Sequence, residues 1–315
     1  MKRKFNFDLY RLNIVDIEDL FAGSDVLRIR GNEDLFAILE KACVPEFDEE
    51  QETRNARYKW SLRYFENYSD ILPGRNILSV VLARSILEKD GLIVTDDGIS
   101  SGSSMSNPPL ASTMILFFDM QRHLVAVEHS GELSQVAWKD FIERILANVA
   151  LSLDKASKIN LEPVPEKHKI ISLFRSFDRL TRIKATLRMP NPELSRYTQH
   201  LFDDLKQSDI REYSQDMKNP NGLSKSESAR PFATAALAQQ GYKDGDVQME
   251  GFRNDGFEKV ISSSTATRGS IDSLKDFVRG LKANAKAKET HTVLSEIAKE
   301  IDKIHPIELN ASDEA

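Results

Sequence analysis

The residues best suited to chemistry are cations at strand spacing. Arg182-Ile183-Lys184-Ala185-Thr186-Leu187-Arg188 alternates polar and apolar side chains. Successive strand residues point to opposite faces, so Arg182, Lys184 and Arg188 fall on one side while Ile183, Ala185 and Leu187 face a core. A rise of roughly 3.3 Å per residue sets same-face neighbours about 6.6 Å apart, a stripe able to follow a phosphate backbone. Arg175 and Arg179 precede this strand. Arg175, Arg179, Arg182, Lys184 and Arg188 are therefore the candidate contacts to DNA or RNA. The competing use of the same residues is solvated pairing with acids on a neighbouring strand. Single-strand binding also needs stacking partners, and the nearby Phe174 and Phe177 lie on an apolar helix face, where they read as core.

The wider charge distribution favours this region. The 315 residues hold 43 Lys+Arg against 49 Asp+Glu, a formal net charge of −6. Yet residues 166–190 contain seven cations and two acids, and residues 259–288 contain the same excess, so the rest of the chain is strongly acidic. An acidic total is thus compatible with a localised basic face.

Other combinations are weaker. His200 with Asp203 and Asp204 has helical spacing but no third ligand, and the single Cys43 can supply neither a disulfide nor a thiolate metal cage. His123 and His129 flank an apolar strand with Glu128 adjacent, too far apart to touch along one strand. Glu162, Glu166 and Lys167 have the residue types of a metal-dependent nuclease at irregular spacing, and Arg196 and His200 stand too close for a helical ribonuclease pair. Ser100–Ser106 lacks the Gly-Lys of a phosphate-cradling loop. A nuclease with an unrecognised site is kept as an alternative; no cofactor and no metal are expected.

Elements must position these groups. Strands are expected at 5–10, 58–68 and 77–82, a helix at 35–43, a solvated acidic loop at 45–52 and a flexible Ser/Gly/Pro loop at 100–109. Met114–Phe118 and Leu124–Val127 read as a hairpin. Trp138, Phe141, Ile142, Ile145, Leu146, Val149 and Leu153 recur at helical steps, with Ser134 as cap. Lys158–Leu161 is a strand ending at Pro163 and Pro165. A helix carrying Ile170, Ile171, Phe174, Phe177 and Leu180 follows, then the basic strand, a helix opened by Pro192, a strand at 210–217 and an alanine-rich helix at 232–240. Strands at 247–252 and 259–265 and helices at 271–288 and 292–304 precede an acidic tail expected to be disordered.

Several blocks together resemble a known family. Met114–Phe118 with Leu133–Val136 and Phe141–Leu146, Leu180–Pro192, and Ala235–Tyr242 with Gly251, Asn254–Gly256 and Ser264–Thr265 are similar to an uncharacterised bacterial family of unknown function, over roughly residues 110–269. The resemblance implies a component of an antiviral defence or mobile-element system, and brings no catalytic residues. The helices after Ser270 read as an addition to the family pattern.

The expected class is α+β, with mixed, largely antiparallel sheets covered by helices. The expected divisions are 1–165, 166–269 and a helical extension at 270–315. Leu294, Ile297, Ala298, Ile301 and Ile304 form an apolar stripe that either packs on the body or pairs with another chain or a partner protein. Met1-Lys2-Arg3-Lys4 is followed by Phe5-Asn6-Phe7-Asp8, not by an export core, and no apolar run is long enough to span a bilayer, so a cytoplasmic protein without membrane insertion is expected.

Overall fold

The computed structural model describes residues 4–16, 31–166 (except 71, 73, 97, 131, 132 and 134), 169–188, 212–254, 256–262, 266–272 and 290–306, with isolated positions at 203–210 and 274–282. The fold is α+β, built on two antiparallel sheets.

The first sheet is organised by β1 (Phe5–Asp16), which is apolar on both faces: Phe5, Phe7 and Leu9 on one, Tyr10, Leu12 and Ile14 on the other. A strand of that kind must be covered twice. Along one edge it pairs with β7 (Leu124–Glu128). The opposite edge takes β13 (Arg268–Ile271) beside its start and β8 (Ser157–Pro163) beside its end. Beyond β7 the sheet continues through β6 (Ala111–Asp119), β4 (Ile77–Thr95), β3 (Ala56–Asn67) and β2 (Glu49–Thr53). Helices α1 (Asn32–Lys41) and α2 (Gln135–Ser152) cover one face, where Trp138, Ile142 and Leu146 meet Tyr10, Trp60 and Phe118. The α5 helix (Thr290–Ile304) covers the other.

The apolar stripe of α5 is therefore used inside the chain. Val293, Leu294, Ile297 and Ile301 are buried against Phe5, Phe7, Phe117 and their neighbours. Each contributes roughly 1.5–3 kcal/mol relative to exposure, so releasing the helix to another chain would forfeit most of that.

The second sheet runs β10 (Glu212–Lys218), β9 (Arg179–Arg188), β11 (Lys243–Arg253), β12 (Gly256–Ile261). Its helical cover is α3 (Lys169–Ser176) and α4 (Arg230–Gln239), packed through Phe174, Phe232, Ala235 and Leu237 on Ile183, Leu187, Val247 and Met249. None of the described helices lies on the opposite face.

Four local expectations are corrected. The serine-rich stretch after Asp97 is not a loop: Gly98–Met105 forms β5, paired with the far end of β4, because the long β4 supplies partners that the composition does not reveal. Within the acidic run, Glu49–Thr53 is an edge strand paired with β3: Glu50, Glu52 and Thr53 are exposed, while the half-buried Gln51 accepts from Trp60 Nε1 at 2.9 Å. Leu180 and Ile271 belong to strands, since pairing with β11 and β1 overrides their helical spacing. Residues 268–304 return to the first sheet through β13 and α5, so pairing joins the C-terminal segment to the N-terminal one. The Ser134 cap, the Pro192 helix, most of the 271–288 helix and the acidic tail lie outside the described residues.

The two sheets are fastened by buried polar groups. Arg11 of β1 is fully buried and spreads its guanidinium over three partners: Nε donates to the Gln240 carbonyl at 2.5 Å, and Nη1 donates to the Arg122 carbonyl at 2.8 Å and the Tyr242 hydroxyl at 3.0 Å. Nη2 stands 3.1 Å from Nε2 of His305, and the Tyr242 ring lies 4.3 Å below the guanidinium. The turn after α4 closes on this group because Gly241 adopts φ +89°, and a Cβ there would press on Arg11 at 3.1 Å. Nearby, Asn13 Nδ2 donates to the Gly241 carbonyl at 3.3 Å, and Glu162 stands 3.8 Å from Lys243.

Arg11→Met would strip donors from three acceptors, each worth roughly 1–3 kcal/mol when left unmade in a buried site. Denaturant unfolding is expected to show a loss of at least about 3 kcal/mol. A loss within experimental error would mean that the junction does not depend on Arg11.

Candidate nucleic-acid interface

Strand β9 presents its basic residues as the alternation requires, but its neighbours answer most of them. Leu180, Ile183, Ala185 and Leu187 are buried beneath the helices, and Arg182, Lys184 and Thr186 face the uncovered side. Arg182 makes a two-pronged pair with Asp216 of β10, Nε to Oδ1 at 2.7 Å and Nη2 to Oδ2 at 2.8 Å, while Nη1 reaches Glu250 of β11 at 2.8 Å. Arg188 is buried, with Nη2 on Asp244 at 2.5 Å. Arg175 stands on α3, across the sheet from the others, paired with Glu227 at 2.7 Å. The five cations are thus not one stripe. Arg179 and Lys184 remain: both are exposed, and neither forms an ion pair with any described residue.

Arg179 has aromatic neighbours. Phe252 of β11 and Phe257 of β12 are direct cross-strand partners on the uncovered face, with ring centroids 5.5 Å apart at 71°. The Arg179 guanidinium lies 4.2 Å over Phe252. Phe257 is 59% exposed and Ile261, on the same side of β12, 51%. Lys259 lies between them in the alternation, its Nζ 3.4 Å from Glu250. Gly251 makes the close approach of β11 and β9 feasible, since a Cβ there would run into the Arg179 carbonyl and Leu180. Lys184 lies further along the same face, across Gln248 from Ile261. An exposed ring beside an unpaired cation can stack a nucleobase and hold an adjoining phosphate.

Phe252, Phe257, Lys259 and Ile261 were missed in sequence. The alternation at 256–261 is present, but Val260 on the opposite parity is apolar too, so the pattern did not announce which face is solvent. Phe174 and Phe177 are core, as expected.

The remaining candidates do not assemble. His123 is buried in the β6–β7 turn with Nε2 3.1 Å from Asn32 Oδ1. His129 instead meets Asp8, Nδ1 to Oδ2 at 2.8 Å, and Arg268 donates Nε to Asp8 Oδ1 at 2.9 Å. Glu128 accepts from Lys282 through both oxygens, at 3.1 and 2.9 Å, and from the Ile115 N–H. The second basic segment is accordingly split: Lys259 borders the uncovered face, while Arg268 and Lys282 pin the C-terminal segment to the first sheet. Beside His129, burial and secondarily the charge of Asp8 push the Tyr10 phenol up to about 12.

Glu162 is buried, with Lys139 and Lys243 for partners; Lys167 lies outside the described residues. Burial pushes its carboxyl up and the Lys243 ammonium down, the signature of desolvation outweighing attraction. Burial also pushes the Cys43 thiol up to about 12, which keeps it protonated and unreactive. His200 lies outside the described residues. Among the described residues no cluster of three metal-ligating side chains occurs, and no helix is long and apolar enough to cross a membrane.

The family described as "Domain of unknown function (DUF4747)" matches residues 107–305. The match runs through α5, so the helices after Ser270 belong to the family pattern and are not an addition to it. No curated protein matches the chain.

The Arg182 guanidinium, hydrogen-bonded to Asp216, holds that carboxyl well below the usual carboxylate range. A depressed folded-state value means that the pair's contribution is present above about pH 4, the unfolded value, and is lost as pH falls below it. Asp216→Asn is expected to flatten the fall of the denaturant midpoint below about pH 4. An unchanged acid limb would contradict the pairing.

Proposed function

The chain belongs to the DUF4747 family, whose description carries no activity, and from the uncovered sheet face we propose that it binds single-stranded nucleic acid there. The observation that carries this reading is the juxtaposition of exposed Phe257, its partner Phe252 and the unpaired Arg179, with the unpaired Lys184 further along the same face. Stacking on Phe257 requires an accessible base face, which a single strand offers and a duplex hides. Arg179 and Lys184 take phosphates, with Lys259 as a weaker third contact because it shares Glu250 with Arg182. Arg182 and Arg188 hold strands together and serve the interface by fixing its shape. DNA and RNA present the same bases and phosphates to this face, and both are probes for it. The single protonated Cys43 suits a reducing, cytoplasmic setting.

Anisotropy of labelled oligo-dT and oligo-U, titrated between about 50 and about 200 mM salt, tests the reading. Two or three engaged phosphates predict a slope of log K against log salt of about −1.4 to −2, where five independent cations would give about −3.5. Phe257→Ala is expected to weaken binding by about 1–3 kcal/mol, roughly 5- to 150-fold. Arg179→Ala/Lys184→Ala is expected to weaken it without loss of stability. Variants that bind as tightly as the parent would overturn the proposal.

A further inference from the structure

Strand β4 continues well past the sheet that contains its first half. From Glu88 to Thr95 it pairs residue for residue with β5, Glu88↔Met105 through Thr95↔Gly98, and β5 has no other partner among the described strands. Since β3 still flanks β4 at Glu88 and Lys89, the result from Asp90 outward is a two-stranded arm. Leu92 (76% exposed), Val94 (81%), Ile99 (70%) and Met105 (74%) share one of its faces, since Val94 stands opposite Ile99 and Glu88 opposite Met105. A ribbon of two strands is marginal in water, and an exposed apolar face on one asks for a cover. The outer edge of β5 also lacks the lysine, proline or other charge that commonly protects an edge strand. The arm ends at residue 105, just before the family match begins at 107, so it is an element outside that match.

Charge selects the cover. Residues 88–105 hold four acids, Glu88, Asp90, Asp96 and Asp97, against Lys89 alone. A polyanion or an anionic lipid surface is repelled, and a second arm would bring four acids against four. The complementary surface is basic and apolar, and the chain carries one: the uncovered face of the second sheet, with Arg179, Lys184 and Lys259 around exposed Phe257 and Ile261. We propose that the arm of one copy lies across the uncovered sheet face of a second copy at its β12 side, Leu92, Val94 and Ile99 covering Phe257 and Ile261. The contact joins two different surfaces, so it propagates head to tail and closes into a ring or grows as a chain. It engages the face assigned above to nucleic acid and would compete with it, but it stands on the exposed groups themselves and not on that assignment.

Light scattering of the full chain over a wide concentration range at low salt is the test. The parent is expected to exceed the mass of one chain increasingly with concentration, and less so as salt is raised. Leu92→Ser/Val94→Ser/Ile99→Ser, confined to the arm, is expected to weaken association by roughly tenfold or more. Asp90→Lys/Asp96→Lys and Lys184→Glu/Lys259→Glu are each expected to dissociate alone and to associate again when mixed, because each supplies the charge the other lacks. A parent that stays a single chain, a serine variant that associates like the parent, or charge variants that do not recover on mixing would each overturn the proposal. Association that persists when oligonucleotide binding is absent would support it and leave the nucleic-acid reading to fail alone.

Discussion

The guanidinium of Arg11 is the interaction on which the arrangement of the molecule depends. It lies in the central strand of one sheet and donates to the turn that leads into β11 of the other, so the second sheet is held by one end; none of its described helices lies on the outer face. Around it, Glu162 and Lys243 are buried together, and the shifts of both groups against ionisation show that burial costs more than their 3.8 Å separation returns. Such a junction is poor as a source of stability and good as a specifier of one docking geometry, because a displaced sheet would leave several buried polar groups unmet. The hydrophobic contribution comes from elsewhere, chiefly the doubly covered first sheet.

That geometry decides what the basic strand can do. Acids on β10 and β11 stand in register beside the cations of β9, and the pairing that holds the sheet together removes Arg182 and Arg188 from phosphate recognition. Positive charge stays available at Arg179, whose neighbour is the Phe252 ring, and at Lys184, which faces Gln248 on one side and on the other Asp216, whose two oxygens are taken by Arg182. The proposed interface is therefore small and partly apolar, and binding there is expected to rest on stacking as much as on charge. The same exposed rings make it attractive to the acidic, apolar arm.

The sequence made much of this legible. The period of two in 182–188 and the three- and four-residue steps of 138–153 named β9 and α2, because each segment is packed on a single core whose period it shares. The Leu294–Ile301 stripe likewise identified a buried helix face. Two things were hidden. The serine-rich β5 has loop composition and is a strand only because β4 overshoots its sheet, a fact of pairing at long range. The site was half visible: the cations were found by spacing, but their carboxylate partners lie 34 or more residues away, so which of them stay unpaired depends on register, as does the emergence of Phe257 on the solvent side. The defence role implied by the family resemblance has no counterpart in these contacts.

The central claim is that the uncovered face of the second sheet is where this protein meets its ligand. Hydrogen exchange of the full chain, compared with and without a saturating single-stranded oligonucleotide at a protein concentration where the chain is single, tests it directly. Slower exchange confined to β9, β11 and β12, with β1, α2 and α5 unchanged, is the predicted result. Protection centred on the His129–Asp8 pair or on the β4–β5 arm, or no protection at all under saturating oligonucleotide, would contradict it.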